Sequence, residues 1–67
     1  MKINLNNNEV SMAGESFSVS ELLNLMHFTF PLIVVKLNGR LVKKEEYERV
    51  FIGDGDNVEA IHLISGG

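Results

Sequence analysis

Apolar and polar residues alternate with period two along Met1-Lys2-Ile3-Asn4-Leu5, the pattern of a strand with one covered face. Asn6-Asn7-Asn8 then groups three turn formers, which predicts a hairpin. The return strand, Glu9 to about Ala13, places Val10 and Met12 on one face and is closed by Gly14. At Ser18 the period changes. Ser18-Val19-Ser20-Glu21 has the form of a capping box, in which Ser18 accepts from the backbone N–H of Glu21 and the Glu21 side chain reaches back to Ser18. Val19, Leu22, Leu23 and Met26 follow at i, i+3, i+4 and i+7, so one apolar stripe runs along a helix of about nine residues. A helix this short is unstable alone and must lay its stripe on a sheet.

His27 to Pro31 is read as the loop leaving that helix, with Pro31 biasing Phe30 towards extended backbone. Leu32-Ile33-Val34-Val35-Lys36-Leu37 is nearly continuous and β-branched, as expected of a central strand covered on much of both faces. Asn38-Gly39 supplies the two left-handed residues of a type I′ turn, and Arg40-Leu41-Val42 returns. Lys43 to Arg49 is a charged run, read as a solvated face that includes a short helical turn. Val50, Phe51 and Ile52 are expected to re-enter the core. Gly53-Asp54-Gly55-Asp56 turns the chain, and Val58 to Ile64 forms the last strand.

The predicted order is β-β-α-β-β-β, an α+β roll of about five strands with one main helix packed on one face. Strand parity directs Ile33, Val35, Leu37, Val58 and Ala60 to the helix. It leaves Val34, Ile61 and Leu63 together on the opposite face, an expected docking surface.

Composition narrows the function classes. At 67 residues the chain is close to the size at which a single core suffices without staples. A net charge of −3, with Lys43-Lys44 as the only basic pair, argues against a nucleic-acid partner. Its apolar runs are far shorter than the roughly 20 residues of a membrane span, and no basic segment leads into an apolar leader. The expectation is a cytoplasmic protein without a membrane partner. There are no cysteines, which removes disulfides, thiolate zinc sites and a thiol nucleophile together. His27, His62, Glu59 and Ser65 form no recognisable base–nucleophile spacing, so enzyme activity and a metal site are not expected.

The candidate chemistry lies at the end, in Ile64-Ser65-Gly66-Gly67. Residues 1-64 are expected to form the folded domain and residues 65-67 a flexible tail. Taken alone, such a tail reads equally well as a frayed terminus. Its other reading is chemical: Gly66 and Gly67, without Cβ atoms, let a backbone approach another protein closely, and the carboxylate of Gly67 can be threaded into a narrow active site. A carboxylate is a poor electrophile, so a partner would have to activate it.

The whole chain resembles the ThiS family of small sulfur-carrier proteins in thiamine biosynthesis. The resemblance rests on the compact first hairpin, the helix start Ser18-Val19-Ser20-Glu21-Leu22-Leu23 and the hairpin Val34-Val35-Lys36-Leu37-Asn38-Gly39. Gly55-Asp56-Asn57-Val58-Glu59 and the terminal Gly66-Gly67 complete it. It implies a β-grasp, ubiquitin-like fold with a mixed sheet. It also implies that an E1-like adenylating enzyme (ThiF type), using ATP and Mg, activates Gly67. Sulfur from a cysteine desulfurase route then makes a thiocarboxylate, which a thiazole synthase (ThiG type) consumes. The chain itself would bind no cofactor. Ser65, Gly66 and Gly67 form the tail of that mechanism, and Val34, Ile61 and Leu63 are expected to meet the adenylating partner. Two alternatives stay open: a MoaD-type small subunit of molybdopterin synthase, and a ubiquitin-like interaction module or protein modifier.

Overall fold

The computed structural model of the chain describes residues 1–28 and 32–63. The loop reading around Phe30 and Pro31 and the tail reading from Ile64 to Gly67 lie outside the described residues.

The first hairpin pairs β1 (Lys2–Leu5) with β2 (Asn8–Ser11). Its two-residue turn puts both Asn6 and Asn7 at positive φ, 51° and 67°, a conformation asparagine tolerates better than most residues. The chain continues through Gly14 (φ 100°) into β3 (Ser16–Ser18) and helix α1 (Val19–Leu25). After the loop come β4 (Ile33–Leu37) and β5 (Arg40–Val42), joined by Asn38 (φ 52°) and Gly39 (φ 83°) as the Asn-Gly pair predicts. A 3₁₀ turn, Lys44–Glu46, occupies the charged run, followed by β6 (Phe51–Gly53) and β7 (Asn57–His62).

The main sheet has the order β2-β1-β7-β4-β5. All neighbours are antiparallel except β1 and β7, which run parallel through Asn4↔Asn57 and Leu5↔Val58, so the sheet is mixed. β4 is an interior strand paired on both sides, as expected, with β7 beside it in the middle place; the correction concerns the coverage of β4, since only one of its faces is covered and Val34 on the other is half-buried. The first return strand and the last strand each begin one residue earlier than expected and are assigned to Ser11 and His62, short of Ala13 and Ile64. The short strands β3 and β6 form a separate antiparallel ribbon that the sequence pattern did not predict. That ribbon corrects the placement of Phe51, which is exposed, while Ile52 is fully buried beside it.

The helix is held at its start by several acceptors. The capping box forms: Glu21 N–H donates to Ser18 Oγ at 3.0 Å and Ser18 N–H donates to Glu21 Oε1 at 2.9 Å. The N–H groups of Val19 and Ser20, which a helix leaves without internal partners, donate to the carbonyls of Val50 and Tyr47, both at 2.9 Å. The charged run therefore returns the chain to the helix start, and Tyr47 packs half-buried against the core, where burial pushes its phenol pKa up.

At its other end the helix closes in a Schellman arrangement. His27 N–H donates to Asn24 C=O (3.1 Å) and Phe28 N–H to Leu23 C=O (2.8 Å), with His27 itself at φ 58°. Val19, Leu22 and Leu23 lie buried on Ile3, Leu5, Val35, Val42, Val58 and Ala60, with Ile33, Leu37 and Met26 packed around them. The predicted helix-facing parity is the one observed.

Candidate functional site

The register of the sheet fixes what its bare face displays. Val34 stands opposite Ile61 and Lys36 opposite Glu59 in the β4–β7 pairing, and Lys36 stands opposite Leu41 in the β4–β5 pairing. Leu63 N–H donates to Leu32 C=O at 2.9 Å and carries the same alternation one step further. Opposed residues share a face, and that face is the one away from the helix, because Val35↔Ala60 and Val35↔Val42 are the buried pairs between them. Val34, Ile61 and Leu63 thus lie together as their parity requires. Leu32 and Leu41 join them.

Four of these five are well exposed: Leu32 45%, Leu41 56%, Ile61 44% and Leu63 46%. Val34 is half-buried between its neighbours. The face is divided. On β1 and β2 it shows Lys2, Asn4, Glu9 and Ser11, all polar and exposed, whereas on β4, β5 and β7 it shows the five apolar side chains around Lys36 and Glu59. Grouped exposed apolar residues rimmed by polar ones have the anatomy of a protein-binding patch.

Leu41 escapes a reading based on hydrophobicity alone, since Arg40-Leu41-Val42 is too short to show a period. A signal was present nonetheless: a two-residue turn at Asn38-Gly39 fixes the register and puts Leu41 beside Lys36.

β7 enters and leaves the sheet differently. At its start a set of side chains ties the turns together. Asn38 Nδ2 donates to Asp56 Oδ1 (3.2 Å), Asn38 Oδ1 accepts from Asn57 N–H (2.9 Å), and Asp56 Oδ2 accepts from Gly53 N–H (2.8 Å). Further along, β1 turns away at Asn6, and the carboxamide of Asn6 takes over its pairing. Ala60 N–H donates to Asn6 Oδ1 at 2.8 Å and Asn6 Nδ2 donates to Ala60 C=O at 3.1 Å. Beyond Ala60 the strand continues against β4 to Leu63, the last described residue before the tail. Ser65, Gly66 and Gly67 are outside the described residues, so the patch is the part of the site that the structure displays.

The titratable candidates do not converge. Glu59 lies on the bare face of β7 and His62 on the opposite side of the same strand, while His27 sits past the helix end as the left-handed residue of its cap. Ser65 lies outside the described residues. Among the described residues no three His, Asp or Glu side chains gather as metal ligands would, and no helix is long and apolar enough to cross a membrane.

A mixed five-stranded sheet with parallel first and last strands and one helix across it is the β-grasp, or ubiquitin-like, architecture. Within that class the particular group is specific: the sequence pattern of the ThiS family matches residues 3–67, and the chain belongs to the ThiS family of sulfur-carrier proteins. The chain is 26% identical over 65 residues to the sulfur carrier protein ThiS of Bacillus subtilis (strain 168), covering 97% of this chain and 98% of that protein. It is 31% identical over 67 residues to the uncharacterized protein ycf40 of Porphyra purpurea, covering 91% and 94% of the two. In structure it is similar to the crystal structure of the thiamine biosynthesis protein (ThiS) from Geobacter metallireducens. The TM-score is 0.90 at 29% identity, with both chains covered completely.

Proposed function

We propose that this chain is a cytoplasmic sulfur carrier whose reactive group is the carboxylate of Gly67. The observation that carries the reading is the family match through residue 67, which includes the terminal Gly66-Gly67. The divided face supports it, because a carrier must present itself to the enzymes that load and unload it.

In the proposed cycle a ThiF-type adenylating enzyme docks on Leu32, Val34, Leu41, Ile61 and Leu63 and receives the tail. One oxygen of the Gly67 carboxylate attacks the α-phosphorus of ATP, pyrophosphate leaves, and the carboxylate becomes an acyl-adenylate. The partner holds the ATP and its Mg²⁺; this chain supplies the acceptor. A persulfide from a cysteine desulfurase route then attacks the acyl carbon and AMP departs, and a second thiol of the partner machinery cleaves the S–S bond of the acyl disulfide, freeing the thiocarboxylate and leaving a disulfide on the partner. Splitting the exchange through an activated acyl intermediate replaces one difficult displacement by two easier ones. The resulting thiocarboxylate gives its sulfur to a ThiG-type thiazole synthase. The absence of cysteine fits this role, since no internal thiol competes for the activated acyl carbon.

Intact-protein mass spectrometry after incubation with ATP, the adenylating enzyme and a sulfur donor tests the proposal. One oxygen should be exchanged for one sulfur. Deleting Gly67, or adding a residue after it, should abolish that shift while leaving the circular dichroism spectrum and melting curve unchanged. Recovery of the chain joined to lysines of other proteins, without sulfur uptake, would favour the protein-modifier reading instead. Sulfur uptake followed by transfer to a molybdopterin precursor would favour the MoaD-type one.

A further inference from the structure

Asn6 performs three tasks that no other residue type combines. It holds the first left-handed position of the β1–β2 turn at φ 51°, its N–H donates to Val58 C=O at 2.9 Å, and its carboxamide both accepts from Ala60 N–H and donates to Ala60 C=O. Glycine would keep the turn and lose the carboxamide. Aspartate would keep the turn and the acceptor but, when ionised, lose the donor.

The place of this clamp in the fold gives it significance. Up to Val58, β7 is paired with backbone on both sides; at Ala60 the β1 side is completed by a side chain, and Ile61 and Leu63 of the patch follow at once. Gly67 is seven residue steps beyond Ala60, a reach of at most roughly 23–25 Å, so the clamp acts on the last paired stretch of β7 before the tail.

We propose that Asn6 is a positioning residue for the reaction at Gly67: its carboxamide fixes the end of β7 and so the direction from which the tail enters the adenylating enzyme. This rests on the carrier reading above. Ile61 and Leu63 keep their pairing with Val34 and Leu32 when the clamp is loosened, so docking stays largely in place while the β1 side of β7, and with it the aim of the carboxylate, is held less well. A misplacement of this kind is felt in the rate of the bound complex.

The test compares wild type, Asn6→Gly and Asn6→Asp at a temperature where all three are folded. Hydrogen exchange should show Ala60 N–H losing protection by roughly tenfold in Asn6→Gly, the worth of a single hydrogen bond, with Val35 N–H unaffected. In the adenylating reaction, followed as ATP–pyrophosphate exchange, the variant's kcat should fall about threefold to tenfold on the same scale, with KM for the carrier changing less. In Asn6→Asp the carboxylate keeps the acceptor for the Ala60 N–H and loses only the donor to the Ala60 C=O, so its Ala60 protection should stay close to wild type and its kcat should fall less than that of Asn6→Gly. Lost Ala60 protection with unchanged kcat would overturn the positioning role and leave the carrier reading standing. A wild-type chain that never takes up sulfur would overturn both.

Discussion

Val35 and Val34 are consecutive residues of β4, and the first is sealed beneath the helix while the second belongs to the bare side of the sheet. The same contrast runs across the molecule. Under α1, the residues Ile3, Leu5, Val35, Val42, Val58 and Ala60 close into one core, whereas on the other face Leu32, Leu41, Ile61 and Leu63 remain in water. Both sets are aliphatic and both obey the alternation of their strands. What separates them is that a sheet has two sides and this chain has one main helix to cover them. The first β half of the bare side is solved by polar residues, Lys2, Asn4, Glu9 and Ser11, and the half built from β4, β5 and β7 is not. Apolar side chains on the covered face stabilise the fold; those on the bare face add little to it and form the surface proposed above to meet another protein.

The contrast breaks most sharply under truncation of the core. Leu22 is fully buried at the centre of the helix stripe, and Leu22→Ala should destabilise the fold by about 2–5 kcal/mol through lost burial and the cavity left behind. In a domain of this size that is comparable with the whole stability, so urea or thermal melts should show a largely unfolded population near physiological temperature. An unchanged melt would mean that the helix stripe does not anchor the core.

Ile61→Asp probes the other side. Ile61 is 44% exposed with its side chain off the core, so the melt should move little, while the affinity for the adenylating enzyme should fall by about 2 kcal/mol or more, the range of an interface hot spot. That corresponds to a Kd raised roughly thirtyfold, measurable by calorimetry with the purified partner. Equal binding by the variant and the wild type would take β7 out of the docking surface.

Much of this was legible in the residues themselves, and the reasons are physical. Ser18 and Glu21 satisfy each other in a local motif, Asn38-Gly39 meets a local dihedral demand, and the parity of Val34, Ile61 and Leu63 follows from the pleat. None of these depends on distant parts of the chain. What escaped was set by long-range pairing. The three-residue strands β3 and β6 are too short to show a period, so the outward direction of Phe51 depends on a partner 33 residues earlier in the Ser18↔Phe51 pairing. Likewise, nothing local reveals that β7 lies in the middle of the sheet, or that the Asn6 carboxamide would complete its ladder at Ala60, 54 residues away. His27 takes a left-handed cap position where glycine is the usual occupant, so composition gave no sign of it. The chemistry proposed for Gly67 belongs to a different category again, because the proposal has a partner enzyme complete it.

The smallest effect expected is at Leu41, and it decides how far the docking surface spreads. Leu41 is the most exposed of the patch residues, on the edge strand β5, and reaches the others only across Lys36, which it opposes, or diagonally towards Val34. Leu41→Ser should therefore alter stability by no more than about 0.5 kcal/mol, as for surface positions without special contacts. Binding should weaken by less than about 1 kcal/mol, since residues at the rim of an interface contribute little when truncated. A double variant with Ile61→Asp sharpens the measurement: two positions that do not touch should give nearly additive losses, and a sum that falls well short of additivity would show that the Ile61 change alone already lifts the partner off β5. A Leu41→Ser loss as large as that of Ile61→Asp would move the centre of the docking surface from β7 to the β4–β5 hairpin.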